Sequence, residues 1–494
     1  MKISKRKTQV KNKIKNNNIE IIEKREKKIA QLFRKPFFTS VIVFIATFVL
    51  TYLLTILLAE ALTLELAIKA TGASVVVAIC FVEFCLYLIL FYDKRAYLAR
   101  DMFLIFSLMY LCFMLCILVQ KYISIYAMPI VALGVSVGLL VRRRIGLLAS
   151  TLLGFSIIVV SIASGLNLTD IINLILAVVL STISSFGMIF LTRKNETRFR
   201  LLWGTLLFSI ILFPLSMVAS FIVVKEPIDL ARNALFKLVG DLLGIAIFTT
   251  IMPIVESLFG VWTNYKLAEY SSFDQPLLRQ LIKDAPGTFQ HSLAVGNMAE
   301  LCALAINENP YQARIGGYYH DIGKMNHPEF FIENQVDGFN PHNELIPEIS
   351  VKMIAKHTYD GYHMLKDAGL PEEIAKIAYE HHGTSKILYF YNKAQSITEG
   401  DLDSAPYRYP GPIPTSKLSA IIMLCDIVEA TVRVRPMTTQ ELRAYIRKVI
   451  AEKIEEGQFV NCDITLKELE IIGKTIESVI PAINHKRIDY SVKL

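Results

Sequence analysis

The sequence predicts an all-α protein: a multi-span helical membrane domain followed by a cytoplasmic all-helical domain. Three observations carry this prediction. Long apolar runs recur from Phe37 to about Trp262, and beyond Trp262 apolar and polar residues alternate at helical spacing. Eight of the nine histidines then fall between His291 and His382.

Apolar residues make up 53% of the 494-residue chain and charged residues only 19%. The apolar runs approach the roughly 20 residues that a helix needs to cross hydrocarbon. They predict eight spans, at residues 37–58, 72–92, 102–120, 123–141, 145–165, 171–192, 201–224 and 239–262, or seven if the last is partly interfacial. Short connections rich in Lys and Arg stay on the cytoplasmic side. Asp93-Lys94-Arg95 through Arg100, Arg142-Arg143-Arg144, and Arg193-Lys194 through Arg200 follow the second, fourth and sixth spans, which places both termini in the cytoplasm. The connection at 225–238, with Lys225, Arg232 and Lys237, fits this rule least well.

The net charge of +8 is a local effect. Residues 1–35 hold thirteen Lys or Arg against three Glu, and the remainder is slightly acidic. Such a tail is drawn to anionic lipid, so the bilayer is the expected partner and no DNA or RNA polymer is. The seven cysteines include no C-x-x-C pair, which excludes a thiolate zinc site of that kind. Glu83 and Glu256 fall inside predicted spans. A carboxylate there is either functional or protonated or hydrogen-bonded at a helix contact. Pro129, Pro214 and Pro253 are expected to kink their helices.

In the second half, helical periodicity covers Gln275–Lys283, Ser292–Asn307, Ile346–Lys356, Pro371–Tyr379 and Ser416–Thr431. Residues 396–415 contain four prolines among aromatics and read as a stiff loop, either a lid or a connector. The expected organisation is a basic tail (1–35), a membrane domain (36–262), a coupling segment (263–284), a catalytic core (285–435) and a helical extension (436–494).

The histidine spacing points to metal chemistry. Adjacent helical residues diverge by about 100°, so His320 and Asp321 do not both face one atom. They can straddle two ions instead, with the two oxygens of Asp321 bridging, and the same holds for His381-His382. His291, His357 and Asp426 come from separate helices, as in bundles that assemble metal sites from facing elements.

His291, then His320-Asp321, then Asp426 reproduces the H…HD…D signature of the HD phosphohydrolase superfamily. The strings APGTFQHS (285–292), YYHDIGK (318–324), FFIENQ (330–335), NPH (340–342), HHGT (381–384), FYNKA (390–394) and YPGP (409–412) closely resemble the HD domain of PgpH-type membrane proteins. The resemblance covers about 265–494 strongly and the spans by architecture. It implies hydrolysis of cyclic di-AMP at the cytoplasmic membrane, with two divalent ions, iron or manganese. One ion would be held by His291, His320, Asp321 and Asp426, the other by Asp321, His357, His381 and His382. An ion pair of this kind activates water and polarises a phosphoryl oxygen, so the implied product is linear 5′-phosphoadenylyl-adenosine.

Other residues have weaker roles. Lys324, one helical turn from Asp321, is expected to neutralise phosphate charge or to be a solvated lysine. His342 either contacts phosphate or shapes its loop. Tyr391 and Tyr409, with Tyr389, Phe390 and Tyr407, either stack a base or pack the core. His327 and His363 fall outside the ligand pattern. Three departures from the family stand out: only about 13 residues separate the first two spans, where relatives carry a large extracytoplasmic domain; Gln290 replaces a second histidine; and Asn343 replaces an aspartate. HHGT is not followed by the Gly-Tyr-Pro string of cyclic di-GMP enzymes. The rival readings are hydrolysis of another nucleotide, a non-catalytic nucleotide sensor, and a transporter gated by the HD domain. Homo-oligomers are compatible with all of them.

Overall fold

The computed structural model describes residues 37–91, 98–191, 198–221, 227–335, 339–399 and 401–483. The basic tail, the Asp93–Arg95 cluster, the Arg193-Lys194 pair and the end of the helical extension lie outside these residues. The chain divides into two compact units, Met1–Thr263 and Asn264–Leu494. Among the described residues no strand is present, only one isolated bridge between Lys386 and Arg408.

The first unit contains α1 (Phe37–Leu58), α2 (Leu64–Phe91), α3 (Leu98–Tyr122), α4 (Ile130–Leu140), α5 (Arg143–Ala163), α6 (Leu168–Leu191), α7 (Arg198–Phe221) and α8 (Pro227–Phe259). Six of these, α1, α2, α3, α5, α6 and α8, are long and apolar enough to cross a bilayer. The other two expected spans hold shorter apolar helices, Ile125–Leu140 and Trp203–Val218. Pro129 explains the first shortfall. A short 3-10 turn ends before it, and only the 11 residues of α4 continue as α-helix. At about 1.5 Å per residue such a helix cannot span about 30 Å of hydrocarbon. Nine of its eleven residues are buried, among α5, α6 and α8. Broken backbone at membrane depth is tolerated in this enclosed setting.

The last span also differs from expectation. α8 runs for 33 residues and takes in most of the stretch read as an outer loop. Of the charges in that stretch, Arg232 and Lys237 are paired within the helix, and Lys225 lies outside the described residues. Lys237 and Asp241 stand one turn apart, both buried, and form an ion pair. Ser184 on α6 donates to the same Asp241 oxygen at 3.1 Å, and the Lys237 ammonium donates to Ser184 at 3.2 Å. Glu256 is buried near the end of α8 and accepts from the Thr263 hydroxyl, the hydrogen-bonded alternative for this carboxylate. Glu83 instead lies on the exposed side of α2.

The second unit is a bundle of α9 (Asn264–Tyr270), α10 (Pro276–Asp284), α11 (Pro286–Ala305), α12 (Pro310–Tyr319), α13 (Pro347–Asp367), α14 (Glu372–Glu380), α15 (Leu388–Gln395), α16 (Lys417–Val434), α17 (Thr439–Glu455) and α18 (Leu466–Ile483). Proline opens α10, α11, α12 and α13, where its missing N–H costs nothing. Asn309 and Ser416 cap α12 and α16, and Thr438 with Glu441 forms a capping box on α17. α11 packs against α12, α16 and α18, and α13 against α14.

Breaking a buried ion pair from one side leaves an uncompensated charge and costs about 3–5 kcal/mol, whereas an apolar replacement of both partners is near neutral. Asp241→Leu alone is therefore expected to lower the melting temperature of the detergent-solubilised chain sharply. Lys237→Met together with Asp241→Leu should recover most of that loss; a double variant as unstable as the single one would contradict the pairing.

Candidate metal centre

The residues that meet here come from five elements. His291 projects from α11, and His320-Asp321 follows the C-terminus of α12. His357 lies on α13, His381-His382 at the end of α14, and Asp426 on α16. Two backbone devices bring them together. A Cβ on Gly323 would meet the His357 carbonyl oxygen at 2.1 Å, so only glycine lets the turn after Asp321 press against α13. Gly383 adopts φ +54°, the left-handed conformation that ends α14 beyond the histidine pair.

The side chains form two groups whose ligand atoms lie within 4.8 Å of one another: His291, His320 and Asp426, and Asp321, His357, His381 and His382. Asp321 stands between them. Its Oδ2 is 3.6 Å from His291 Nε2 and 3.3 Å from His320 Nε2, while Oδ1 is 3.2 Å from His357 Nε2 and 3.5 Å from His381 Nε2. Asp426 Oδ1 lies 3.0 Å from His291 Nε2, and Oδ2 lies 3.5 Å from His382 Nδ1.

Three imidazoles share one orientation device. Nδ1 donates to the carbonyl three residues earlier, from His320 to Gly317 at 2.8 Å, His357 to Ile354 at 2.6 Å and His381 to Ala378 at 2.9 Å. Each Nε2 is thereby turned inward. His382 lacks such a carbonyl, and Tyr409 stacks on its ring with centroids 4.1 Å apart and planes 22° from parallel.

Electrostatics prepares these atoms for a cation. Burial alone would raise the Asp321 carboxyl, but His320 and Lys324 hold it well below the usual carboxylate range. Asp426 is likewise held low against burial, by His291 at 3.0 Å and by the nearby His320 and His382 imidazoles. Burial pushes His381 down to about 4, and burial together with His381 lowers His382 further below its ordinary value. His320 goes the other way: burial opposes its charge, but Asp321 prevails and raises it to about 10.

His320 Nε2 and both oxygens of Asp321 are buried without a hydrogen bond of acceptable geometry. The Lys324 ammonium, 2.7 Å from Oδ2, compensates only as an ion partner. Imidazole nitrogens 3.4 Å apart at His357 and His381, facing a bare carboxylate, fit a divalent ion. The donor set is nitrogen and oxygen with no thiolate, which is compatible with iron or manganese among the divalent ions.

The remaining candidates sit differently. Lys324 is half-buried between Asp321 and Glu333, 2.9 Å from the latter, and Glu333 also accepts from Thr288 at 3.0 Å. His342 is buried, with Nε2 2.9 Å from the Phe330 carbonyl and its ring against Phe390. Tyr391 packs on a satellite cluster of Val351, Phe390, Ala394 and Tyr407, with Lys386 over its ring. Tyr409 contacts His382 rather than standing free. His327 and His363 are exposed. The loop at 396–415 is tied down by backbone bonds from Ile387 to Tyr407 at 2.8 Å and from Tyr409 to Ser385 at 3.0 Å. Sequence reasoning missed Glu429, a buried carboxylate that accepts from His291 Nδ1. Its signal was present: Glu429 follows Asp426 by three positions on one helix face.

Residue contacts this close leave no room at Gly323. Gly323→Ala is expected to push the turn away from α13, widen the 3.2 Å approach of Asp321 to His357 and lower the metal content of the purified chain. Gly72→Ala, where a Cβ meets nothing within 4 Å, should leave metal content unchanged. Equal metal content in both variants and the unmodified chain would contradict this packing.

Residues 288–431 match the family model for the HD domain. The chain is 35% identical over 371 residues to the cyclic-di-AMP phosphodiesterase PgpH of Bacillus subtilis, covering 74% of this chain and 51% of that protein. It is 43% identical over 241 residues to its namesake in Listeria monocytogenes, covering 49% and 33% respectively. A crystal structure of the L. monocytogenes PgpH HD domain in complex with cyclic di-AMP aligns with 43% identity and a TM-score of 0.41, over 43% of this chain and 99% of that one. The chain thus spans about half the length of the first of these relatives. The resemblance read from the YYHDIGK and HHGT strings is borne out: this chain carries an HD domain and is homologous to the PgpH cyclic-di-AMP phosphodiesterases.

Proposed function

We propose that the chain is a membrane-bound, metal-dependent phosphodiesterase that hydrolyses cyclic di-AMP to linear 5′-phosphoadenylyl-adenosine. The observation that supports this reading best is Asp321, whose two buried oxygens face separate imidazole groups in an HD domain homologous to that of PgpH. On this reading two ions, iron or manganese, are held as the family pattern implies. His291, His320 and Asp426 would hold one and His357, His381 and His382 the other, with Asp321 shared.

Bound there, such ions supply Lewis acidity and an activated water for attack at phosphorus. The chain's own residues supply the rest. The inward Nε2 atoms of His320, His357 and His381 are fixed before substrate arrives, so little reorganisation is needed. Burial of Asp321 and Asp426 keeps bulk water from screening the centre. Lys324 supplies positive charge beside Asp321, where a phosphodiester adds negative charge. Its ties to Asp321 and Glu333 make it a fixed charge rather than a mobile finger. His342, Tyr391 and Tyr409 are proposed substrate contacts of lower rank, since each already has a packing partner. An even number of helices long enough to span puts the HD domain on the same side as the basic tail, which the positive-inside rule keeps in the cytoplasm. The domain limits 1–35, 36–262, 263–284, 285–435 and 436–494 belong to the same reading.

The test is product analysis with purified full-length chain, loaded with manganese or iron and offered cyclic di-AMP, cyclic di-GMP and linear dinucleotides. Cyclic di-AMP should yield the linear dinucleotide. Asp321→Asn should lower turnover by at least about 100-fold, the upper end of what losses outside the ligand set cost. His363→Ala, on the exposed face of α13, should not. A metal-loaded chain that binds cyclic di-AMP and leaves it uncut would replace this reading with that of a sensor.

A further inference from the structure

Two imidazoles at the centre, His291 and His382, depart from the common pattern, and only His291 is anchored through Nδ1 on a buried carboxylate held by a second charge. His320, His357 and His381 each anchor Nδ1 on a backbone carbonyl three residues earlier, a neutral acceptor supplied by their own segment. His291 anchors Nδ1 on the carboxylate of Glu429, from a different helix. Glu429 is buried at 6% exposure, and its other oxygen is gripped by Arg433, at 3.0 Å from Nε and 2.7 Å from Nη2. Residues 426, 429 and 433 are spaced three and four apart, so they lie on one face of α16. That face clamps the His291 ring at both ends, with Asp426 Oδ1 3.0 Å from Nε2 and Glu429 at Nδ1.

We propose that Glu429, held by Arg433, is the positioning residue of the group formed by His291, His320 and Asp426. This inference rests on the metal reading given above. A carboxylate acceptor on Nδ1 fixes the proton there, leaves Nε2 as the ligating atom and makes the imidazole a stronger donor than a carbonyl acceptor does. The consequence is an asymmetry between the two groups. The one containing His291 carries a buried anion behind a ligand; at His357 and His381 the partner is backbone. Removing the Glu429 charge therefore weakens one binding event and spares the other.

The experiment is a manganese titration of the full-length chain in detergent, resolved into its separate binding events by competition with a chelator. The unmodified chain and Glu429→Gln are compared, with the melting temperature of each recorded without metal. Glu429→Gln keeps the shape and loses the charge. It should weaken one binding event by about 10–100-fold and leave the other, and the metal-free melting temperature, unchanged. Arg433→Gln should produce a smaller shift in the same event. Equal weakening of both events, or no weakening beside intact binding by the unmodified chain, would overturn the role of Glu429. Absence of manganese binding by the unmodified chain would instead overturn the metal reading itself. If Glu429→Gln melts early, Arg433→Gln alone decides, and an unshifted first event there counts against the proposal.

Discussion

The Asp321 carboxylate is the constraint on which the second unit depends. It is buried, ionised and without a hydrogen bond to either oxygen. An isolated carboxylate in such a place costs several kcal/mol even after relaxation, so the surroundings must bring it positive charge. Lys324 brings one, at 2.7 Å. Four imidazoles turn nitrogen atoms toward it from 3.2 to 3.6 Å. A cation that shares such an arrangement stabilises it, so on the proposed metal reading ion binding and folding of the centre are linked.

The bundle around Asp321 serves that arrangement. Gly323 allows the turn to lie against α13, Gly383 ends α14 just past its histidines, and α16 carries Asp426 and Glu429 on one face. Nδ1 bonds to backbone carbonyls hold three rings with no further side chains. The two rings without that bond, His291 and His382, are held by Glu429 and by the Tyr409 ring. The helices are thus a means of fixing ring rotation at five points.

The histidine and aspartate set was legible in the sequence because its strings are specific; the expectation that helix neighbours cannot face one ion did not hold, since His381 and His382 fall in one group and Asp321 Oδ2 lies 3.3 Å from His320 Nε2. The all-helical class was legible too, from apolar runs and helical periodicity. Other features were hidden for physical reasons. Lys237 looks like a loop residue until Asp241, one turn on, neutralises it inside α8. Pro129 leaves α4 too short to span, a matter of where the helix restarts rather than of composition. Tyr409 reads as either a base-stacking or a core aromatic, and only the fold lays it on His382. Glu429 was visible in spacing but carried no motif of its own.

The most direct measurement is anomalous scattering from crystals of the manganese-loaded protein. Two peaks about 3.5–4 Å apart, the usual separation of paired catalytic ions, are predicted on either side of Asp321, each within bonding distance of one of its oxygens. A single peak, or two peaks of which only one touches Asp321, would contradict the bridging role from which the rest of the centre follows.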